Sequence, residues 1–160
     1  MNIRKYKPID KKALLKIGEE FSNFYIPINE WGRNPIDPST GSYFINKVLR
    51  NAKKHKGVVF VAEQNGALVG FVGIYLKKQT AEEQLEFIPM KIGYISDLFV
   101  NEKYRGKHIG KQLIEKAHQY FKSNNCTHSK LEVFGPNINA HKFYVNHGYR
   151  DKNIEMIKTL

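Results

Sequence analysis

The apolar pattern changes its period twice between residues 92 and 134, and this constrains the fold more than any other feature of the sequence. The segment "IGYISDLFV", 92–100, is a mostly apolar run of strand length. In "IGKQLIEKAHQYF", 109–121, the apolar residues recur three and four positions apart, as on one face of a helix. "KLEVF", 130–134, is again typical of a strand. A strand, a helix and a second strand in this order predict parallel pairing of the two strands.

The first half of the chain predicts antiparallel pairing instead. In "VVFVAEQNGALVGFVGIYL", 58–76, the pair Asn65-Gly66 separates two apolar runs, as at the turn of a hairpin. "NIRKYKPI", 2–9, predicts an edge strand, and Asp10 after it predicts an N-cap for the first helix. The other predicted elements are helices over 11–25 and 42–55, loops over 26–40 and 79–91, a short helix over 139–148 closed by Gly148, and a final strand over 149–160.

The predicted order of elements is therefore β-α-α-β-β-β-α-β-α-β. A chain of 160 residues has the length of one domain with a substantial core. We expect a single domain over residues 1–160, of the α/β or α+β class, in which helices flank a mixed, mostly antiparallel central sheet.

Composition narrows the partners and the compartment. Lys and Arg number 26 against 15 acids, a net charge of +11 that favours anionic partners. The cations are scattered, so we do not expect nucleic acid to be the partner. A basic nucleic-acid-binding module remains a less favoured alternative to the functions considered below. The single cysteine, Cys126, excludes an internal disulfide and favours the cytoplasm. The N-terminus lacks the apolar core of a signal peptide, and the run 67–76 is half the length of a membrane span, so no membrane partner is expected.

The junction between the strand and the helix carries glycines and cations, which suggests an anion held by backbone N–H groups. A nucleotide P-loop needs four residues between its glycines and a hydroxyl after its lysine. Here three residues separate Gly106 from Gly110, and Gln112 follows Lys111. A dinucleotide fingerprint does not fit the spacing either. From these residues alone, the segment can equally be interpreted as an ordinary surface turn with basic side chains.

Two longer motifs go further. "YISDLFVNEKYRGKHIGKQLIEKA", 94–117, resembles the signature of the GNAT superfamily of acyl-CoA-dependent N-acyltransferases: an apolar strand, an acidic turn, then Arg/Gln-x-x-Gly-x-Gly/Ala and an amphipathic helix. "NINAHKFYVNHGY", 137–149, resembles the later element of the same family. His108 stands where the family usually has a glycine. A histidine there offers its backbone N–H to a ligand if its φ is negative.

The resemblance implies a GNAT-like fold and an acetyl-CoA-dependent N-acetyltransferase that moves the acetyl group to a primary amine by direct attack in a ternary complex. It implies that Tyr144 protonates the departing thiolate. For the base we propose Asp97, the acid on the strand beside the site, or else a chain of water molecules. The implied cofactor-binding residues are Leu98, Phe99, Val100, Arg105, Gly106, Lys107, His108, Ile109, Gly110, Lys111, Asn137 and Tyr144.

The remaining expectations concern partners. The expected acceptor is an amine, on a small molecule or on a protein. A homodimer and a monomer are both compatible with the sequence, which does not distinguish the two. No metal is expected, because His141 and His147 are six residues apart and no Cys or carboxylate cluster joins them. The main alternative to an enzyme is a non-catalytic acyl-CoA-binding regulatory domain of the same fold.

Overall fold

The computed structural model describes residues 1–25, 27–28 and 39–160. Within these ranges, five strands form one sheet in the order β1-β2-β3-β4-β5. Each strand from β1 to β4 is antiparallel to the next, and β5 pairs with β4 in parallel. The mixed, mostly antiparallel sheet is therefore confirmed. The strands are β1, Asn2–Lys5; β2, Val58–Gln64; β3, Ala67–Lys77; β4, Ile92–Val100; and β5, His128–Lys130.

Helices cover both faces of the sheet. The α-helices are α1, Lys11–Tyr25; α2, Ser39–Lys54; α3, Ala81–Glu86; α4, Ile109–Ser123; and α5, Ile138–Val145. Because side chains alternate along a strand, neighbouring residues of β3 enter opposite cores. Phe71 packs into the cluster of α1 and α2, and Val72 packs into the cluster of α4. The sheet thus separates an α1/α2 face from an α4 face.

The hairpin forms as predicted between β2 and β3. Asn65 and Gly66 have φ angles of 51° and 76°, the left-handed values that a two-residue turn of this type requires. The parallel pairing of β4 and β5 across α4 is also confirmed. The predicted loop over 26–40 lies largely outside the described residues, and α2 begins at Ser39, three residues before its predicted start.

The prediction that Asp10 caps α1 is wrong. Asp10 lies in a short 3-10 helix, Pro8–Asp10, and its carboxylate accepts from both terminal nitrogens of Arg4 at 2.7 and 2.8 Å. It also accepts from the backbone N–H of Lys7 at 2.7 Å. These bonds lower the pKa of Asp10 to about 2, with the Arg4 bond as the largest cause. A charged partner on the adjacent β1 outcompetes the helix terminus, since charge-assisted hydrogen bonds are the stronger ones.

Three other segments differ from their predictions. The loop over 79–91 contains α3, because Thr80 and Glu83 form a capping box in which each side chain bonds the other's backbone N–H. The strand predicted over 130–134 lies earlier in the chain: β5 spans His128–Lys130, and residues 131–134 form no strand because the pairing with β4 ends at Lys130. Residues 149–160 form no strand, and 150–160 are exposed. The apolar residues of that segment keep no strict alternation, so a strand would not bury them on one face: Tyr149, Ile154, Met156, Ile157 and Leu160.

None of the described helices has the length and apolar content that would let it cross a membrane.

Candidate active site

The site begins with an extra residue in β4. Gly73 of β3 pairs with Asp97 and Ile74 pairs with Ile95, so Ser96 is bulged out of the register. Its hydroxyl donates to the Gly73 carbonyl at 3.1 Å. A bulge bends its strand and increases the local twist. The pairs between β4 and β5 end at Tyr94 and Lys130, just before the bulge. Beyond it the two chain segments separate and leave a cleft.

The cleft encloses about 60 Å³ between β4, the segment that follows β5, and α5. Both predicted catalytic residues, Asp97 and Tyr144, line it. Leu98 and Asn137, two of the predicted cofactor residues, line it as well. The fold therefore brings together side chains that are far apart in the sequence. The full lining is Phe21, Ile95, Ser96, Asp97, Leu98, Leu131, Glu132, Val133, Phe134, Asn137, Ala140 and Tyr144.

Asp97 and Tyr144 reach the cleft from opposite faces of the sheet. Gly73, the partner of Asp97 in the register, faces α2, because a Cβ there would collide with Val48. Asp97 therefore shares the α1/α2 face. Tyr144 packs with the α4 cluster, and its ring lies edge-on to Tyr149 at 5.7 Å between centroids. The cleft is thus a passage through the sheet, with a carboxylate toward one face and a phenol toward the other.

The environment of Asp97 makes its carboxylate more basic. Burial raises the pKa of Asp97, and the hydrogen bond with Ser96 and the charge of Lys47 lower it only in part. A half-buried carboxylate with a raised pKa holds a proton more firmly than a solvated one, which suits a group that accepts a proton in a reaction.

The cleft also contains a second acid, which the sequence motifs did not indicate. Glu132 lines it opposite β4, in the segment that was predicted to continue β5. Burial is the main cause that raises the pKa of Tyr94 and of Tyr75, and the charge of Glu132 is the next. These two rings lie 5.0 Å apart on neighbouring strands. The signal available in the sequence was a carboxylate inside the apolar run "KLEVF".

The loop before α4 has left-handed backbone at two positions. Gly106 has φ 76°, and His108, directly before the first residue of α4, has φ 58° and ψ 14°. His108 was expected to offer its N–H to a ligand only if its φ were negative, and its φ is positive. The residue instead has the left-handed backbone conformation that favours glycine. A non-glycine residue in this region costs about 1–2 kcal/mol. The backbone N–H groups of the first turn of α4, residues 109–111, have no partners within the helix.

The cations of this loop divide into two groups. The Arg105 Nε donates to the Val100 carbonyl at 3.1 Å, and its guanidinium lies 4.9 Å from the Phe24 ring. Arg105 thus braces the end of β4. Lys107 and Lys111 are exposed: the Lys107 ammonium lies 5.2 Å from the Tyr104 ring, and Lys111 lies 3.9 Å from Glu115. Lys107 and Lys111 are therefore the two of these cations whose charges can reach a ligand at the N-terminus of α4.

Several other residues predicted to bind the cofactor have side chains that are engaged in packing or in helix capping. Phe99, Val100 and Ile109 are buried in the two cores, so only their backbone can face a ligand. A Cβ at Gly110 would lie 3.2 Å from the Phe143 ring, which shows how closely α4 and α5 approach each other. The Asn137 side chain caps α5 by accepting from the Ala140 N–H at 3.2 Å.

A hydrogen-bond network lies behind Tyr144. The Tyr149 hydroxyl lies 2.6 Å from the Ser129 hydroxyl and 2.9 Å from the His118 Nε2. The Tyr149 N–H donates to the Tyr144 carbonyl at 3.1 Å. This network fastens the end of α5 to both β5 and α4, and it fixes the backbone from which Tyr144 projects.

The described ranges bring together no group of three His, Cys, Asp or Glu side chains that could hold a metal ion. The two histidines considered as metal ligands have separate partners. The His141 Nε2 lies 2.8 Å from the Asp151 Oδ1, and the His147 Nδ1 lies 2.7 Å from the Phe143 carbonyl oxygen.

A family model described as "Acetyltransferase (GNAT) family" matches residues 19–149, which is most of the chain. The chain therefore belongs to the GNAT acetyltransferase family, and the resemblance seen in its two motifs is confirmed.

Curated relatives agree with this assignment, and a solved structure agrees with the fold. The chain is 29% identical over 152 residues to the uncharacterized N-acetyltransferase YhfO of Bacillus subtilis, covering 94% of this chain and 91% of the relative. It is 26% identical over 100 residues to the aminoalkylphosphonate N-acetyltransferase of Salmonella typhimurium, covering 62% of this chain and 61% of the relative. A tetramutant of the BH1408 protein from Bacillus halodurans superposes with a TM-score of 0.75 at 23% identity, with both chains covered completely, and confirms the fold.

Proposed function

We propose that the protein transfers an acetyl group from acetyl-CoA to a primary amine by direct attack in a ternary complex. The observation that carries this proposal is the cleft at the bulge of β4, which Asp97 and Tyr144 both line from opposite faces of the sheet. One carboxylate and one phenol across a narrow passage match the two proton transfers that the reaction requires.

The residues around the cleft fit coenzyme A. The edge of β4 over 98–100 lies beyond the last pair with β5. Apart from the Val100 carbonyl, which accepts from Arg105, its backbone is available to an extended chain that carries amides, such as pantetheine. The first turn of α4 offers N–H groups and the positive end of a helix dipole to a pyrophosphate. Lys107 and Lys111 add exposed positive charge beside that turn. Arg105 contributes by bracing β4 rather than by direct contact.

The acceptor amine has a pKa near 10 and arrives as an ammonium ion. Asp97 accepts one proton from it and passes this proton to solvent. The amine nitrogen then forms a bond to the thioester carbonyl carbon, and the carbon–sulfur bond breaks. The second proton of the nitrogen passes through solvent to Tyr144 and replaces the proton that this residue gives to the sulfur. Tyr144 donates a proton to the sulfur, so the products are the amide, the thiol and one released proton.

The test is an acetyl-CoA assay with a panel of primary amines, in which the free thiol and the amide product are both measured. We expect thiol release that depends on the amine, with acetylated amine in equal amount. Acetyl-CoA binding without transfer to any amine would instead support the non-catalytic acyl-CoA-binding domain.

A further inference from the structure

We infer that the acceptor carries a second positive charge besides the reacting amine, and that Glu132 binds this charge beside the paired rings of Tyr75 and Tyr94. This inference rests on the proposed function, because it concerns the acceptor end of the same cleft. It makes Glu132 a residue that determines specificity.

The charge of the cleft is opposite to that of the chain. The chain has a net charge of +11, yet the cleft is lined by two carboxylates and, among the described residues, by no Lys, Arg or His. Lys47 acts on Asp97 from α2 but does not line the cleft. Walls of low dielectric focus the field of such carboxylates, which raises the local concentration of cations.

The two tyrosines lie on the face from which an acceptor would approach Asp97. They are partners in the register of β3 and β4, and their ring planes meet at 33°. Gly93 faces α4, because a Cβ there would collide with the Phe121 ring, so the next residue, Tyr94, faces the α1/α2 side. Asp97 faces that side too.

Glu132 joins the rings to the cleft. It lines the cleft, and its charge acts on the hydroxyls of both tyrosines. The Tyr94 hydroxyl donates to Glu132, so this carboxylate lies at the hydroxyl ends of the rings. An ammonium ion there would gain a charge-assisted hydrogen bond to the carboxylate, with the phenolic oxygens as further acceptors.

The two acids differ in exposure, and this separates their roles. Asp97 is half-buried, which suits proton transfer from the reacting amine, whereas Glu132 is exposed at the rim of the cleft. A carboxylate at the rim can contact a second ammonium ion that remains partly in solvent, away from the reacting centre.

The same lining opposes an anionic acceptor. The Salmonella relative is named for aminoalkylphosphonate, an amine that carries a negative group. In this chain such a group would meet the like charges of Asp97 and Glu132, since both line the cleft. We expect this chain to prefer a diamine over a phosphonate.

The experiment compares 1,4-diaminobutane, 1-aminobutane and 2-aminoethylphosphonate as acceptors for the wild type and for Glu132→Gln. The wild type should show a kcat/KM for the diamine about tenfold or more above that for either other amine. Glu132→Gln should raise KM for the diamine about tenfold, the effect of one lost charge-assisted contact. It should raise KM for 1-aminobutane by a clearly smaller factor, because that amine loses only the general attraction of the cleft, and kcat should hold for both amines. Glu86→Gln, at an exposed carboxylate of α3 outside the cleft lining, is the matched control.

Two kinetic results would overturn the inference. One is preference for the phosphonate or equal use of the two butylamines. The other is a fall in kcat for both butylamines at unchanged KM, because Glu132 would then transfer protons rather than bind the second charge.

Calorimetry separates this inference from the proposed function. The diamine is titrated into protein saturated with CoA, which has no acetyl group to transfer. Tighter binding of the diamine than of 1-aminobutane, lost in Glu132→Gln and kept in Glu86→Gln, supports the inference even if no amine is acetylated. Acetyl transfer without this difference in binding would refute the inference and leave the proposed function standing.

Discussion

The two parts of β4 differ in how many neighbours they have. Residues 92–94 pair with β3 on one side and β5 on the other, whereas residues 95 and 97–100 pair with β3 only and Ser96 is bulged. In the first part Ile92 and Gly93 are buried, and Gly93 lies directly under Phe121 of α4. In the second part Ser96, Asp97 and Leu98 are half-buried and line the cleft. One bulged residue thus converts a strand that builds the core into the wall of a site.

This difference predicts that substitutions in the paired part of the sheet change stability, and that substitutions along the cleft change turnover. The largest expected effect belongs to positions where a strand has a neighbour on each side, such as Phe71, which lies between Val61 of β2 and Phe99 of β4. Phe71 of β3 is completely buried and meets the Phe21 ring edge-on at 6.2 Å. Phe71→Ala should lower the free energy of unfolding by about 3–5 kcal/mol, from lost burial and a remaining cavity. Denaturant unfolding measures this, with Phe71→Leu as the milder control.

For Phe71→Ala, turnover of the protein that remains folded should stay within a few-fold of the wild type. A large loss of kcat at a temperature where the variant is fully folded would contradict the separation of the two regions.

Next in size is Asp97→Asn, which keeps the shape and removes the basic site. Turnover near neutral pH should fall about a hundredfold or more at saturating substrate. The wild-type rate should also fall as the pH drops through the raised pKa of Asp97, because only the ionised form accepts a proton. Glu86→Gln again serves as the control. A variant that keeps its rate would return Asp97 to a structural role and favour a water chain as the base.

The same substitution should have the opposite effect on stability. Burial raises the pKa of Asp97 in the folded chain, so its contribution to stability is present below the ordinary value of 3.8 and is lost as the pH rises through the folded value. Asp97→Asn removes this loss. The variant should be more stable than the wild type near pH 7 and should approach it in acid, which thermal unfolding across pH can measure. Lower stability near pH 7 would mean that the carboxylate has a stabilising partner.

A smaller loss of turnover is expected for Tyr144→Phe, because a thiol has a pKa near 8.5 and its anion departs with less help than an amine needs to lose a proton. The rate should fall about ten- to a hundredfold, while acetyl-CoA affinity holds. The loss should shrink further with a thioester of a more acidic thiol. Tyr43→Phe, at an exposed tyrosine of α2, controls for the substitution. Unchanged turnover, where chemistry limits the rate, would leave Tyr144 as a packing residue.

The smallest effect concerns His108. His108→Gly relieves the left-handed backbone but adds freedom to the unfolded chain, so the net gain in stability should be about 0.5–1 kcal/mol. It should also tighten acetyl-CoA binding, because glycine lets the backbone approach a phosphate closely. Lys56→Gly is the matched control, since Lys56 has φ 49° and lies away from the cleft lining. It should gain similar stability without a change in binding. Weaker acetyl-CoA binding by His108→Gly would identify the imidazole as a ligand contact.

The parts of the fold that follow local rules were predictable from the sequence. The hairpin follows from Asn65-Gly66, and the parallel pair follows from the change of period around α4. The capping box at Thr80 was equally visible, but α3 has only six residues and little apolar periodicity. The strand predicted at the end of the chain relied on composition without alternation, which is weaker evidence.

The details that form the site were not predictable, because they depend on pairing between distant segments. The bulge at Ser96 exists only relative to the register of β3. Once β4 turns away, β5 loses its partner, and Glu132 changes from a residue of a predicted strand to part of the cleft wall. The motif resemblance implied Tyr144, and the position of Asp97 beside the motif suggested its role. Neither could have indicated Glu132.

The network at Tyr149 has a practical consequence for labelling and fusion. The Tyr149 hydroxyl ties the chain to Ser129 and His118 immediately after α5, and the residues that follow it are exposed. Asp151 adds a second tie, because its carboxylate lies 2.8 Å from His141 of α5. A fluorophore or a fused protein attached beyond both residues would pull on these ties before it could move Tyr144. Residues 153–160 are the natural place to attach a probe when acetyl transfer is to be followed undisturbed.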